Sequence, residues 1–203
     1  MKNKLGLLAL LLVLPLAFFS CGDSNTSSGP CDECDQEPCT CPPYAGVWSW
    51  EGYDDRNDIG GQSTSEATED DGVITIVGEV KTGFQYRFAG WKADPADAQT
   101  LKKLKSAKAI SFKISGSGTV NKSFKVQLVT SNVTDHGYYF EIIQLPATEQ
   151  TITLRIPDDF GQPSWAANKP LNMSQITGIQ WQSNDDAQGT FNVTMKDLLL
   201  IQQ

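Results

Sequence analysis

From residue 44 to the end of the chain, apolar side chains recur at every second position in run after run. Ile74, Ile76 and Val80 share one face, as do Phe84, Tyr86 and Phe88, then Ile110, Phe112 and Ile114, then Phe124, Val126 and Leu128. The second half repeats the pattern with Tyr138, Phe140 and Ile142, with Ile152, Leu154 and Ile156, with Ile179 and Trp181, and with Phe191, Val193 and Met195. Side chains alternate sides along an extended strand, so each run has one buried and one wet face. Eight such strands, with a ninth near Val47 to Trp50, stack as antiparallel sheets around a shared core. The expected class is an all-β sandwich, and the 160 residues from Tyr44 to Gln203 are enough for one domain. Only residues 95–105, "PADAQTLKKLK", have helical character, with Pro95 suited to a first turn and Leu101 and Leu104 on one side. This helix is expected to cap an open end of the sandwich. Turns are expected at Gly116 and Gly118, at Gly137 and at Gly189.

The segments before residue 44 belong to a different regime. Lys2 and Lys4 followed by the apolar run Leu5 to Phe19 form a secretory signal too short to span a bilayer. It ends in "LAFFSC", which resembles a lipobox, with cleavage after Ser20 and acylation of Cys21. Gly22 follows, with no Asp directly after Cys21, which resembles release to the outer membrane. Residues 21–43 contain no aliphatic or aromatic side chain beyond the cysteines, so they read as a flexible tether. Within it Cys31, Cys34, Cys39 and Cys41 pair as disulfides in an oxidising compartment, in any of three ways, or hold a metal, or stay as unpaired thiols; the four-residue gap between the two cysteine pairs is unlike a zinc ribbon.

Charge excludes one class of partner. Removal of residues 1–20 takes two lysines and no acid, leaving 14 Lys and Arg against 24 Asp and Glu, a net formal charge of −10. Such a surface repels phosphodiester backbones, and nucleic acid is not an expected partner.

The residues for catalysis are sparse. The single histidine, His136, sits in the turn "NVTDHG", and no G-x-S-x-G elbow accompanies it. Acids cluster in polar loops, and only Glu141 lies within an alternating run, so a glycosidase pair is not readable. Gly60-Gly61 and Gly116-x-Gly118 precede no strand-to-helix step and no P-loop lysine, which dismisses a phosphate cradle. The chain reads as a non-enzyme. More informative is what alternation leaves on the wet faces: Gln85 and Arg87, Lys125 and Gln127, Tyr139 and Glu141, Gln180 and Gln182. Planar amides, a guanidinium and a phenol suit hydrogen bonding to sugar hydroxyls over a flat surface. Trp91 and Trp165, read as loop residues, would add stacking platforms.

Several stretches then resemble a known family in order. "WSWEGYDDRNDIGGQST", "ITIVGEVKTGFQYRFAGW", "LKSAKAISFKISGSG", "KVQLVTSNVTDHGYYFEI", "TITLRIP" and the closing "GTFNVTMKDLLL" are similar to the galactose-binding-like jelly-roll sandwich. That sandwich is shared by family-eleven carbohydrate-binding modules and the complex I intermediate-associated protein domain. The resemblance spans nearly all of residues 44–203. It implies polysaccharide binding on a concave sheet for the first group, and protein interaction, here with a cell-envelope partner, for the second. It also implies a structural calcium near the chain ends, with Glu51 or Asp54 and Asp197 as the matching carboxylates. In this frame "YDDRNDIGGQST" is a loop entering the sheet, its glycines giving a tight backbone and Ser63 holding the turn. The chain departs from the modules in showing one tyrosine, Tyr139, on its expected wet face. It departs from the assembly factors in being exported.

Overall fold

A computed structural model describes residues 43–120, 122–167, 169–184 and 187–202. The expected signal segment, the lipid-bearing Cys21 and the four tether cysteines lie outside the described residues. The described chain forms ten strands and one α-helix. In chain order the strands are β1 (Trp48–Asp54), β2 (Thr64–Asp70), β3 (Val73–Val80), β4 (Ala89–Pro95), β5 (Ala109–Gly118), β6 (Ser123–Thr130), β7 (Tyr139–Gln144), β8 (Gln150–Arg155), β9 (Ile176–Ser183) and β10 (Gly189–Ile201), with α1 (Ala98–Ser106) between β4 and β5. They make two five-stranded sheets, β1-β4-β9-β6-β7 and β2-β3-β10-β5-β8, with every pairing antiparallel. The all-β sandwich expected from alternation is the fold observed.

The core is where the two inner faces meet, and its centre is aromatic. Trp91 of β4 stacks on Trp181 of β9 at 5.9 Å and 2° between planes, and Phe112 of β5 meets Trp181 edge-on at 5.4 Å. Phe124 of β6 and Phe191 of β10 close the cluster in a second edge contact at 5.4 Å. These rings come from both sheets, so the geometry is the offset and edge-on packing that adds stabilisation beyond burial itself.

Four local expectations are corrected. The apolar run Phe84, Tyr86 and Phe88 is a loop, because its backbone is held by loop partners: Lys81 N–H donates to Ser63 Oγ and Phe88 N–H to Asp55. The strand at this point is β4, whose inward residues Ala89 and Ala93 flank a fully buried Trp91 and give little apolar signal. Polar β2 is an edge strand with mostly exposed side chains, joined to β3 through Asp71-Gly72, both at positive φ as a tight hairpin turn requires. Pro95 closes β4 instead of opening the helix, which starts after the N-cap Asp97, whose carboxylate accepts from Thr100 N–H at 2.6 Å. Leu104 is buried beneath α1, so the expected capping role holds.

The fourth correction concerns β7. Its register opposes Tyr139 to Leu128, Glu141 to Val126 and Ile143 to Phe124, which turns Tyr139, Glu141 and Ile143 to the sandwich side and Phe140 and Ile142 outward. Ile143 is buried and Ile142 is 41% exposed. Apolar residues occupy both faces of this edge strand, so alternation alone does not set its phase; pairing with β6 does.

Candidate functional site

The outer face of the β1-β4-β9-β6-β7 sheet gathers polar side chains in two transverse rows. Residue-by-residue pairing across five strands aligns Glu51, Lys92, Gln180, Gln127 and Phe140 in one row. The next row is Tyr53, Gly90, Gln182, Lys125 and Ile142. Expectation and structure agree for Lys125, Gln127, Gln180 and Gln182, and the sheet order brings all four together.

Gln127, next to the central Gln180 of its row, is 7% exposed, and its Oε1 has no hydrogen-bond partner. Buried polar atoms are rarely left so, since an unmade bond costs about 1–3 kcal/mol. Beside it Tyr53 donates its hydroxyl to Gln182 Oε1 at 3.2 Å and packs against Phe88. Burial pushes the Tyr53 phenol above its ordinary range, and the phenol of Tyr138 raises it further, so the two tyrosines stand within electrostatic reach. Lys92 bridges Glu51 and Asp94 at 3.0 and 3.1 Å, and these carboxylates, Glu51 foremost, hold its ammonium above the usual range. Lys125 lies over the Phe140 ring, 5.4 Å from its centroid.

Other expected ligand residues go elsewhere. Trp91 is core, and Tyr139 and Glu141 face the sandwich interior side of β7. Gln85 is exposed in the loop before β4, and Arg87 in the same loop donates from Nε to the Ala187 carbonyl at 2.8 Å. Trp165 is a loop residue as expected and is 66% exposed. Sequence reasoning misses Lys92 and Tyr53, because β4 carries small inward residues and Tyr53 opens the stretch "YDDRNDIGGQST" expected to be a loop.

The three carboxylates expected to hold calcium do not converge. Glu51 pairs with Lys92, Asp54 with Arg56 at 2.8 Å, and Asp197, at a bulge of β10 in the other sheet, with Lys113 at 2.8 Å. Calcium needs six to eight oxygens, and among the described residues no group of three His, Cys, Asp or Glu could hold a metal ion. These residues do not fit that ion.

Trp165 is positioned by the β6–β7 turn. Asp135 accepts from Gly137 N–H at 3.0 Å and Ala167 N–H at 3.1 Å, and Gln162 donates to the Gly137 carbonyl at 2.8 Å. The amides of Gly137 and Ala167 hold the Asp135 carboxyl below the usual range. A depressed native pKa contributes stability above the unfolded value of about 3.9, lost as pH falls through the native value. Acidification through that window is therefore expected to loosen the Trp165 loop. Trp165 emission, recorded in a chain with the other tryptophans as background, should shift in the wild type, whereas Asp135→Asn should already show the acid-like signal at neutral pH.

A surface depression of about 720 Å³ lies on the outer side of the opposite sheet between Arg56, Glu66, Glu79, Ser117 and Asn192. Glu79 there is paired with Lys81 at 3.0 Å. The amide rows, with their partnerless buried oxygen, are the stronger site.

The family model of complex I intermediate-associated protein 30 (CIA30) matches residues 44–195. The chain belongs to that family. No curated protein matches it by sequence. Among solved structures, the CIA30 domain is similar to a family 11 carbohydrate-binding module from Clostridium thermocellum in complex with a β-1,3-1,4-mixed-linked tetrasaccharide. That similarity has a TM-score of 0.52 at 19% identity, over 80% of this chain and 94% of that one. It is similar also to the family 11 module of the cellulosomal cellulase Lic26A-Cel5E of Clostridium thermocellum, with a TM-score of 0.53 at 16% identity, over 80% and 93% of the two chains. At these identities the likeness is one of fold.

Proposed function

We propose that this protein is a non-catalytic carbohydrate-binding lipoprotein of the outer membrane, holding a β-glucan-like polysaccharide on the outer face of the β1-β4-β9-β6-β7 sheet. The observation that carries the reading is the set of amides Gln127, Gln180 and Gln182, gathered on neighbouring strands of one outer sheet face among charged groups. The half-buried amides of Gln180 and Gln182 form a hydrogen-bonding strip along which a chain of sugars can lie, with buried Gln127 packed beside them. The sandwich shared with a module solved in complex with a tetrasaccharide is in keeping with this use.

The test is affinity electrophoresis of the full chain against β-glucans, xylan and mannan. Retardation by one polymer is expected, with Gln180→Ala and Gln182→Ala each weakening it about tenfold, the scale of one lost hydrogen bond. Unchanged retardation in both variants would move the glycan off this face.

A second reading has its own support. Lys125 covers Phe140, and the Tyr53 ring packs on Phe88, so neither offers a bare stacking surface. A face built that way also suits a cell-envelope protein partner. Absence of retardation by every polymer, with co-purification of an envelope protein lost on Gln127→Ala, would favour it.

A further inference from the structure

We propose that the α1 end of the domain docks on the anionic phospholipid headgroups of the membrane to which the chain is tethered. The inference rests on the reading of residues 1–43 as a signal and lipid-anchored tether, and it concerns a different surface from the amide rows.

Where the tether meets the domain is fixed by hydrogen bonds. Tyr44 exchanges backbone bonds with Leu200, its hydroxyl lies 3.4 Å from Thr100 Oγ1, and Val47 N–H donates to the same Thr100 oxygen at 2.8 Å. Thr100 is a buried residue of α1, so the chain enters the domain beside this helix. The same helix and its exit carry Lys102, Lys103, Lys105 and Lys108, four of the 14 basic residues that follow the signal, on a mature chain of formal charge −10. Lys102, Lys105 and Lys108 are exposed and spaced by three, which lines up the first two on one side of the helix. Of the acids at this end, Asp97 caps the start of α1, accepting from Thr100 N–H, and Asp159, three residues past the Ile156 that bonds Lys108, is tied to Arg155 at 2.8 Å. A groove of about 300 Å³ opens beside them, with Lys105 and Lys108 at its rim and Ile156, Leu171 and Met173 along its side. Val47, 54% exposed, adds an apolar contact at the point of entry.

Clustered lysines next to a membrane anchor gain attraction from anionic headgroups, about fivefold in partitioning per lysine at moderate salt. The acids that share this end are engaged, Asp97 as the α1 N-cap and Asp159 by Arg155, and charges farther off than a Debye length of about 8 Å in physiological salt are screened. The tether makes docking intramolecular and so adds to an affinity that the lysines supply by themselves. Docked by this end, the domain keeps the outer sheet face and the loops at the far end of β1 and β4 open to a ligand.

The test uses the unacylated chain from residue 21 onward, floated with phosphatidylethanolamine vesicles with and without phosphatidylglycerol. Binding is expected only to the anionic vesicles, to vanish at high salt, and to fall about 100-fold in Lys102→Gln/Lys105→Gln/Lys108→Gln. No binding to anionic vesicles, or equal binding by a triple variant that keeps its native near-ultraviolet circular dichroism, would overturn the proposal. A mature chain whose mass shows no acyl groups would remove the tether and the proposal with it. Glycan retardation run on the same samples reports separately: its loss in the wild type refutes the carbohydrate reading and leaves the docking result standing.

Discussion

Trp91→Ala is expected to destabilise the domain by about 3–5 kcal/mol, the range for removing a large ring from a packed core. In a domain of this size that lowers Tm by roughly 10 °C or more. Trp91 has no exposed surface and is packed against Trp181, Phe124 and Phe191, so alanine leaves a cavity that two sheets must collapse around. Trp91→Phe should cost much less, because it keeps a ring and removes an Nε1–H that is buried without a partner. Urea or thermal unfolding of both variants decides the matter. A Trp91→Ala chain of wild-type stability with weakened glycan retention would restore the loop position expected from sequence and refute the packing described here.

The second large effect is expected at Asp55. Its carboxylate has no exposed surface and accepts from Ser63 N–H at 2.8 Å, Ser63 Oγ–H at 2.8 Å and Phe88 N–H at 3.2 Å. Ser63 Oγ in turn accepts from Lys81 N–H at 3.1 Å, so one acid ties the 55–63 loop to the 81–88 loop. Asp55→Ala strands these donors, and with hydrogen bonds to a charged group worth about 1.5–3 kcal/mol each, a loss of about 3–4 kcal/mol is expected. Gly61→Ala should act on the same joint by another route, since a Cβ there would lie 1.7 Å from the Asp55 carbonyl oxygen. Hydrogen exchange of the Ser63, Lys81 and Phe88 amides should accelerate together in Asp55→Ala. Exchange unchanged at all three would mean that the loops are held by something else. The stretch "YDDRNDIGGQST" is thus a clasp: neither a calcium loop nor a phosphate cradle, but a buried carboxylate with glycine beside it.

The inward residues of β3, β5, β6, β8, β9 and β10 were legible because each carries β-branched, aromatic or Leu residues on one side and polar ones on the other. β2 and β4 were not. β2 is nearly all polar because it is an edge strand, and β4 buries two alanines around its tryptophan, so both lack the contrast on which alternation depends. The loop run Phe84, Tyr86 and Phe88 has that contrast and misleads, because Phe84 packs edge-on against Tyr86 at 5.8 Å and Phe88 against Tyr53 at 5.7 Å instead of entering a ladder. In the site, the amides of β6 and β9 were readable as outward-facing. Lys92, Tyr53 and Phe140 were not, since their strand or its phase had to be known first.

By itself the sequence determined the class of fold, the sidedness of most strands, the acidic charge and the family, because local alternation and ordered motifs survive without knowledge of contacts. The tertiary structure alone decided which strands are neighbours. Sheet order β1-β4-β9-β6-β7 joins strands far apart in the chain, and only that order puts Glu51, Lys92, Gln180 and Gln127 in one row. The physical reason is that a strand's period fixes which side a residue faces, while its partner across the sheet is set by the packing of the whole sandwich.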